Sequence, residues 1–396
     1  MCGNAAVRRK PPILELNWCR KDAFQLALFG EIRDNMINTE ANGAETPPPP
    51  NQDREVTSVM TSINSTTATL PQPRKTYSQN WPSYNAAQVH EQEHFVTLLR
   101  ELCDTIEQPP QTFGRPRLPL SDVVFGIGLK VYSTMSGRRA MTNFRDAHAK
   151  GLLETPPSFT STFRYLENAD LTPLLKSLIE QSAMPLKAIE TDFAVDSSGF
   201  STSVYNRRFD HKWGKMRSEA KWVKAHLMCG VTTHIVTSVE VTPTESADAP
   251  FLTPLVETIA KNFTIHEVSG DKAYSSRRNL RAIEEVGGDA YIPFKKGTNG
   301  VGKKFDEVWN RLWHFYNFNR SEFLLHYHKR SNVETTFSMI KGKFGGAVRS
   351  KTPIAQVNEV LVKILCHNIC VLIQSMYELG IESTFGTEQA VVPKVA

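Results

Sequence analysis

The stretch WVKAHLMCGVTTHIVTSVEV, residues 222–241, reads as two strands that turn at Thr232-Thr233. Trp222 to Val231 makes one arm and His234 to Val241 the other. Upstream, Ala188 to Asp196 is a further run of strand character. Downstream the periods alternate. Phe251 to Asn262 is an amphipathic helix after Pro250, and Ile265 to Asp271 is a strand. Ser275 to Val286 is a helix that stops at Gly287-Gly288, and Asp289 to Phe294 is another strand. Asp306 to about Met339 is largely helical, and Val357 to Met376 is a last amphipathic helix. A strand, a hairpin and then alternating helices and strands predict an α/β sandwich about a mixed sheet.

The segment before this pattern reads as all-helical. Val89, Phe95, Leu98, Leu99 and Leu102 recur at helical spacing until Pro109-Pro110. A second helix runs from about Ser121, as N-cap, to about Met135. A third follows Ser136-Gly137 with Arg138, Arg139 and Arg145, and another starts near Pro157-Ser158. Residues 1–82 read as a largely disordered extension, with Pro47 to Pro50 consecutive and a polar stretch after them. The expected organisation is therefore that extension, a helical domain over 83–185, an α/β domain over 186–380 and a flexible tail over 381–396.

Composition excludes several classes. The chain has 396 residues, 40% of them hydrophobic, and a formal net charge of +5. That allows a sizeable core and permits a polyanionic partner without demanding one. The longest apolar stretch, Val360 to Ile373, is interrupted by Lys363, His367 and Asn368, so no membrane span is expected. The six cysteines form no CxxC pair, which argues against a zinc ribbon, and scattered free thiols suit a reducing cytoplasm. Cys366, His367 and Cys370 read as core and helix-face residues.

Two carboxylates stand out. Asp196 and Asp271 each close a predicted strand and are followed by small or turn residues, so each is expected at a strand's end. Two such groups on neighbouring strands can bridge a divalent ion, and oxygen ligands suit Mg²⁺ or Mn²⁺. Taken singly, each is more often a turn or cap residue. Asp192 lies on the same strand face but roughly 13 Å from Asp196 at full extension. Asp248 reads as a loop or cap residue, and Trp222 as a core residue.

The stretch from Tyr327 to Lys341 is more specific. On a continuous helix Tyr327, Arg330, Glu334 and Lys341 share a stripe about 60° wide. One face then offers Glu334 to a metal and Arg330 and Lys341 to phosphate oxygens, with the Tyr327 phenol as a further expected DNA contact. The alternative is a solvated helix face with i,i+4 pairing.

These residues resemble the DDE transposases of bacterial insertion sequences, in the branch with the Y-x2-R-x3-E-x6-K signature. All four signature positions match, and the segments 196–200, 221–248 and 270–276 are similar to the strand, hairpin and second-aspartate blocks of that family. The resemblance covers roughly residues 84–380. It implies a ribonuclease-H-like catalytic domain behind a helical DNA-binding region, and phosphoryl transfer with two Mg²⁺ or Mn²⁺ ions. Asp196 would bridge both ions, and Asp271 and Glu334 would each hold one. The implied partner is double-stranded DNA, as terminal inverted repeats and target, bound by a homodimer in the nucleoid of a prokaryotic cytoplasm.

Charge agrees with such a partner. Residues 115–150 and 203–226 each carry a local net of +5, and 321–351 a net of +4. Within the first window, Arg138, Arg139 and Arg145 follow a Ser-Gly turn in the manner of a helix-turn-helix reader.

Overall fold

The computed structural model describes residues 80–111, 113–114, 116–202, 222–243, 246–300, 306–383 and 385. The expectations for residues 1–79, for the basic run 203–221 with Trp213, and for the tail beyond residue 385 fall outside the described residues.

The helical segment comprises α1 (Trp81–Asp104), α2 (Leu120–Tyr132), α3 (Gly137–Ala149), α4 (Phe159–Leu166) and α5 (Leu171–Ala183). Then come β1 (Asp192–Ser201), β2 (Trp222–Gly230), β3 (Val236–Pro243), α6 (Ala249–Ala260), β4 (Glu267–Gly270), α7 (Arg277–Glu285) and β5 (Asp289–Tyr291). The chain closes with α8 (Glu307–Phe318), α9 (Arg320–Tyr327), α10 (Ser331–Phe344) and α11 (Pro353–Leu379). The helix expected to start on Ser121 begins one residue earlier, after Pro119, and Ser121 makes no cap.

The sheet order is β3-β2-β1-β4-β5, with β1, β2 and β3 antiparallel and β4 and β5 parallel to β1. This is a five-stranded mixed sheet flanked by helices. Strand alternation divides its side chains between two cores. Ala194, Phe200, Ala225, Leu227 and Cys229 join α1, α2, α10 and α11 on one face. Phe193, Val195 and Met228 join α6 and α7 on the other. The first core is continuous with the helical segment, whose Phe95, Leu99, Phe125 and Phe144 are wholly buried in it.

One expectation is corrected here. Asp196 does not end a strand but stands in the middle of β1, paired with Leu227 of β2. The sequence misled because Ser197, Ser198 and Gly199 are weak strand formers, yet the β2 ladder carries them through to Ser201. The parallel ladder to β4 does stop beside Asp196, its last pair being Val195 with Gly270. Asp196 therefore sits where one neighbour strand ends and the other runs on.

Two buried polar groups fix this frame. Glu190, wholly buried, accepts from the Thr232 and Thr233 amides and the Thr233 hydroxyl, and so closes the β2–β3 turn. Asn368 on α11 bonds both the amide and the carbonyl of Val236, at 2.9 and 2.7 Å. Helix α11 is long and apolar enough to cross a membrane by length and composition, but 78% of its most apolar window is buried inside the fold. The ionic and polar residues that interrupt its sequence face partners within that core. Trp222, expected in the core, is instead 46% exposed at the end of β2, where it lies over Gly199. A Cβ on Gly199 would meet the Trp222 ring at 2.9 Å, so the bare glycine makes this packing possible.

Candidate active site

The site is built where α9 and α10 cross the end of the β1–β4 ladder. The predicted continuous helix from Tyr327 to Lys341 is broken: α9 ends at Tyr327, and His328–Arg330 form a 3₁₀ turn before α10. In a 3₁₀ turn residues i and i+3 eclipse, so Tyr327 and Arg330 still share a side. The turn is pinned to the sheet by Lys329, whose ammonium donates to Asp192 and Glu267 at 2.7 Å each. Asp192 is thereby occupied at the start of β1. The neighbouring Arg330 is delivered to Asp196, on the same face of that strand.

Arg330 joins two of the predicted carboxylates. Its Nη2 lies 2.8 Å from Asp196 Oδ2 and its Nη1 2.9 Å from Glu334 Oε1. The Asp196 side chain is 19% exposed and that of Glu334 57%. Burial pushes the Asp196 carboxyl above the usual range, against the opposing Arg330 guanidinium and the Ser197 amide, which donates to Oδ1 at 2.8 Å. Asp271, just past β4, caps a 3₁₀ turn by accepting from the Lys272 amide. It is near enough for its charge to raise the Arg330 and Tyr327 pKa values. Burial raises the Tyr327 hydroxyl as well.

Lys341, two turns along α10 from Glu334, donates to Ser198 Oγ at 2.6 Å. Its ammonium lies 5.3 Å from the Phe200 ring centroid and 5.7 Å from that of Phe337. Asp196, Ser198 and Phe200 are alternate residues of β1, so one strand face meets the whole Arg330–Lys341 stripe.

The opposite face carries residues to which sequence reasoning gave no role in the site. Ser197 Oγ donates to Asp248 Oδ1 at 3.0 Å, and Lys224 Nζ pairs with the same carboxylate at 2.5 Å. His226 Nδ1 stands 3.4 Å from it, and burial lowers the His226 pKa to about 4. The available signal was Lys224 and His226 two apart in an otherwise apolar strand.

Arg138, Arg139 and Arg145 lie exposed on α3. Arg138 stacks over Phe159 at 5.3 Å, and the three share no ion pair with the carboxylates among the described residues. Cys366 and His367 are buried core residues of α11, as expected.

The donor set around Arg330 suits Mg²⁺ or Mn²⁺, with carboxylate oxygens and no thiolate or imidazole. Asp196 and Glu334 already gather one positive charge between them. Among the described residues no three His, Cys, Asp or Glu side chains converge as a metal-binding group, so ligation by all three would require Arg330 to give way.

Residues 188–369 match the family model described as transposase DDE domain. Among solved structures, the chain is similar to a piggyBac transposase synaptic complex with hairpin DNA, determined by cryo-EM. Identity is 11%, coverage is 74% of each chain and the TM-score is 0.35. No curated protein matches.

Proposed function

Given that residues 188–369 belong to the transposase DDE domain family, we propose that the chain binds the ends of an insertion sequence and catalyses DNA cleavage and strand transfer. The observation that carries this reading is the meeting of Asp196 and Glu334, from β1 and α10, on one cation, with Asp271 beside them. A site that draws positive charge between a partly buried and an exposed carboxylate is chemically matched to divalent ions.

In this reading Asp196, Asp271 and Glu334 hold two Mg²⁺ or Mn²⁺ ions. When bound, such ions activate an attacking water or 3′-hydroxyl and stabilise the leaving oxygen. The chain's own residues orient the reaction. The Ser197 amide fixes one Asp196 oxygen and leaves the other for a cation. Arg330, released from the carboxylates, and Lys341 bind oxygens of the scissile phosphate, the first as a fork and the second as a point charge. No side-chain nucleophile is required. Arg138, Arg139 and Arg145, exposed on a helix after a short turn, support a role for 83–185 in reading the terminal repeats. The protein would work as a homodimer on DNA, in the prokaryotic cytoplasm.

The test uses the full chain and DNA bearing the inverted repeats that flank its gene. Cleavage should require Mg²⁺ or Mn²⁺. Asp196→Ala, Asp271→Ala and Glu334→Ala should each abolish it while leaving end binding largely intact. Full activity in Asp196→Ala would overturn the assignment.

A further inference from the structure

Beyond the carboxylate site, a cleft opens between α2, the end of α10 and α11. Its polar lining includes Lys130, Thr134, Arg349, Glu359 and Lys363, with Phe344 as part of the apolar wall. Lys130 is 5% exposed and Lys363 3%, an unusual depth for two ammonium groups. Their partners differ. Lys363 donates to the carbonyls of Gly345 and Ala347 at 2.8 and 2.7 Å, which leaves one of its three N–H groups. The Lys130 ammonium makes no hydrogen bond or ion pair among the described residues and lies 6.0 Å from the Phe163 ring centroid.

The carboxylate in the cleft supports these cations by its charge but makes no hydrogen bond to them. Both Glu359 oxygens accept from the Arg349 amide, at 2.9 and 3.1 Å, and Oε2 also accepts from the Ser350 amide at 2.8 Å. Burial lowers the Lys130 and Lys363 pKa values, Lys363 to about 8; the Glu359 charge opposes that shift in both, and the Arg349 charge adds to it. Three cations thus crowd one carboxylate, with donors to spare. A buried structural lysine needs an acceptor, and Lys363 shows how this fold supplies one. Lys130 has none, which points to an anion from outside.

The cleft also lies beside the candidate active site. Phe200 of β1 has the Lys341 ammonium 5.3 Å from its ring centroid and the Lys363 ammonium 5.7 Å from it. The cleft-lining segment 345–349 is stitched to the end of β1 by Ser201 N to Gly346 O and Val348 N to Ser201 O, at 2.9 and 2.8 Å.

We propose that this cleft binds a backbone phosphate of the DNA strand that passes the carboxylate site, with Lys130, the spare N–H of Lys363 and the exposed Arg349 as donors. The proposal rests on the reading of the chain as DNA-acting, and its test separates the two. The full chain is titrated with a random-sequence duplex across a range of KCl concentrations. Lys130→Met and Arg349→Gln should each lower the slope of log affinity against log salt by about 0.9, the value of one lost phosphate contact. Lys130→Arg should keep the slope. Lys130→Met should melt at or above the wild-type temperature, because a largely buried ammonium with no hydrogen-bond acceptor in the protein has been removed. Unchanged slopes in Lys130→Met and Arg349→Gln overturn the cleft alone. So does early melting of Lys130→Met, which would make Lys130 a structural contact. A wild-type chain that binds no duplex overturns the proposed function together with the cleft.

Discussion

Asp196 and Ser197 are neighbours on β1 whose side chains serve opposite faces of the sheet. Asp196 meets Arg330 of the 3₁₀ turn, while Ser197 donates to Asp248 at the start of α6. The Ser197 amide also donates to Asp196 Oδ1, so the carboxylate is held at its base by a residue that is itself anchored from behind. This two-sided clamp keeps the Asp196 position from yielding to the charge around it.

The fork of Arg330 and the point charge of Lys341 should respond differently to conservative exchange. Arg330 uses separate nitrogens to reach Asp196 and Glu334, whereas Lys341 makes one short bond to Ser198. Arg330→Lys should lose most cleavage, and Lys341→Arg should retain more. Single-turnover cleavage rates decide this, and equal losses would count against the assigned roles.

Lys329 should prove a stability residue rather than a catalytic one. Lys329→Met leaves Asp192 and Glu267 without their shared cation and should cost about 1–3 kcal/mol in urea unfolding. Asp192→Asn should recover part of that loss in the Lys329→Met background, with a coupling of about 0.5 kcal/mol or more. Asp192→Asn alone should still cleave DNA. Strictly additive effects would show that the pair does not anchor the turn.

Gly270 should be intolerant of a side chain. A Cβ there would stand 2.7 Å from Val195 Cγ1, within the last pair of the β1–β4 ladder. Gly270→Ala should destabilise by about 1–3 kcal/mol through overpacking. Cleavage should fall as well, because Asp271 follows directly. Adding Val195→Ala should restore both, and a double variant as poor as the single would place the constraint elsewhere.

Two buried histidines should make the fold acid-sensitive. Burial holds His226 and His367 neutral and lowers each pKa from 6.5 to about 4. Between those values the unfolded chain binds protons that the folded chain refuses, so stability falls as pH drops through that window. Each shift is equivalent to roughly 3 kcal/mol at most. Urea midpoints at about pH 7 and about pH 4.5 should differ accordingly, and His367→Gln should reduce the difference. A flat profile in the wild-type chain would contradict neutral burial of both rings.

Sequence by itself determined most of the elements and their order, though not helix α5 (Leu171–Ala183) or the breaks within 306–344. Strand-forming runs on either side of the Thr232-Thr233 turn, helical spacing in 89–102 and 357–376, and the glycines at 287–288 are local signals, each written within one element. The spacing of Tyr327, Arg330, Glu334 and Lys341 is local too, and it survived a 3₁₀ turn that replaced the expected continuous helix, because an i,i+3 pair stays aligned in either geometry. What only the tertiary structure decided is which charges meet. Arg330 reaches Asp196 across 134 residues, Lys329 reaches Asp192 across 137, and Lys363 crowds Lys130 from another helix. Periodicity assigns a side chain to a face, but its partner depends on the strand order and on how helices cross the sheet. For the same reason Asp196 looked like a strand end: the ladder that carries β1 on to Ser201 is supplied by β2, which the local residues 197–199 do not announce.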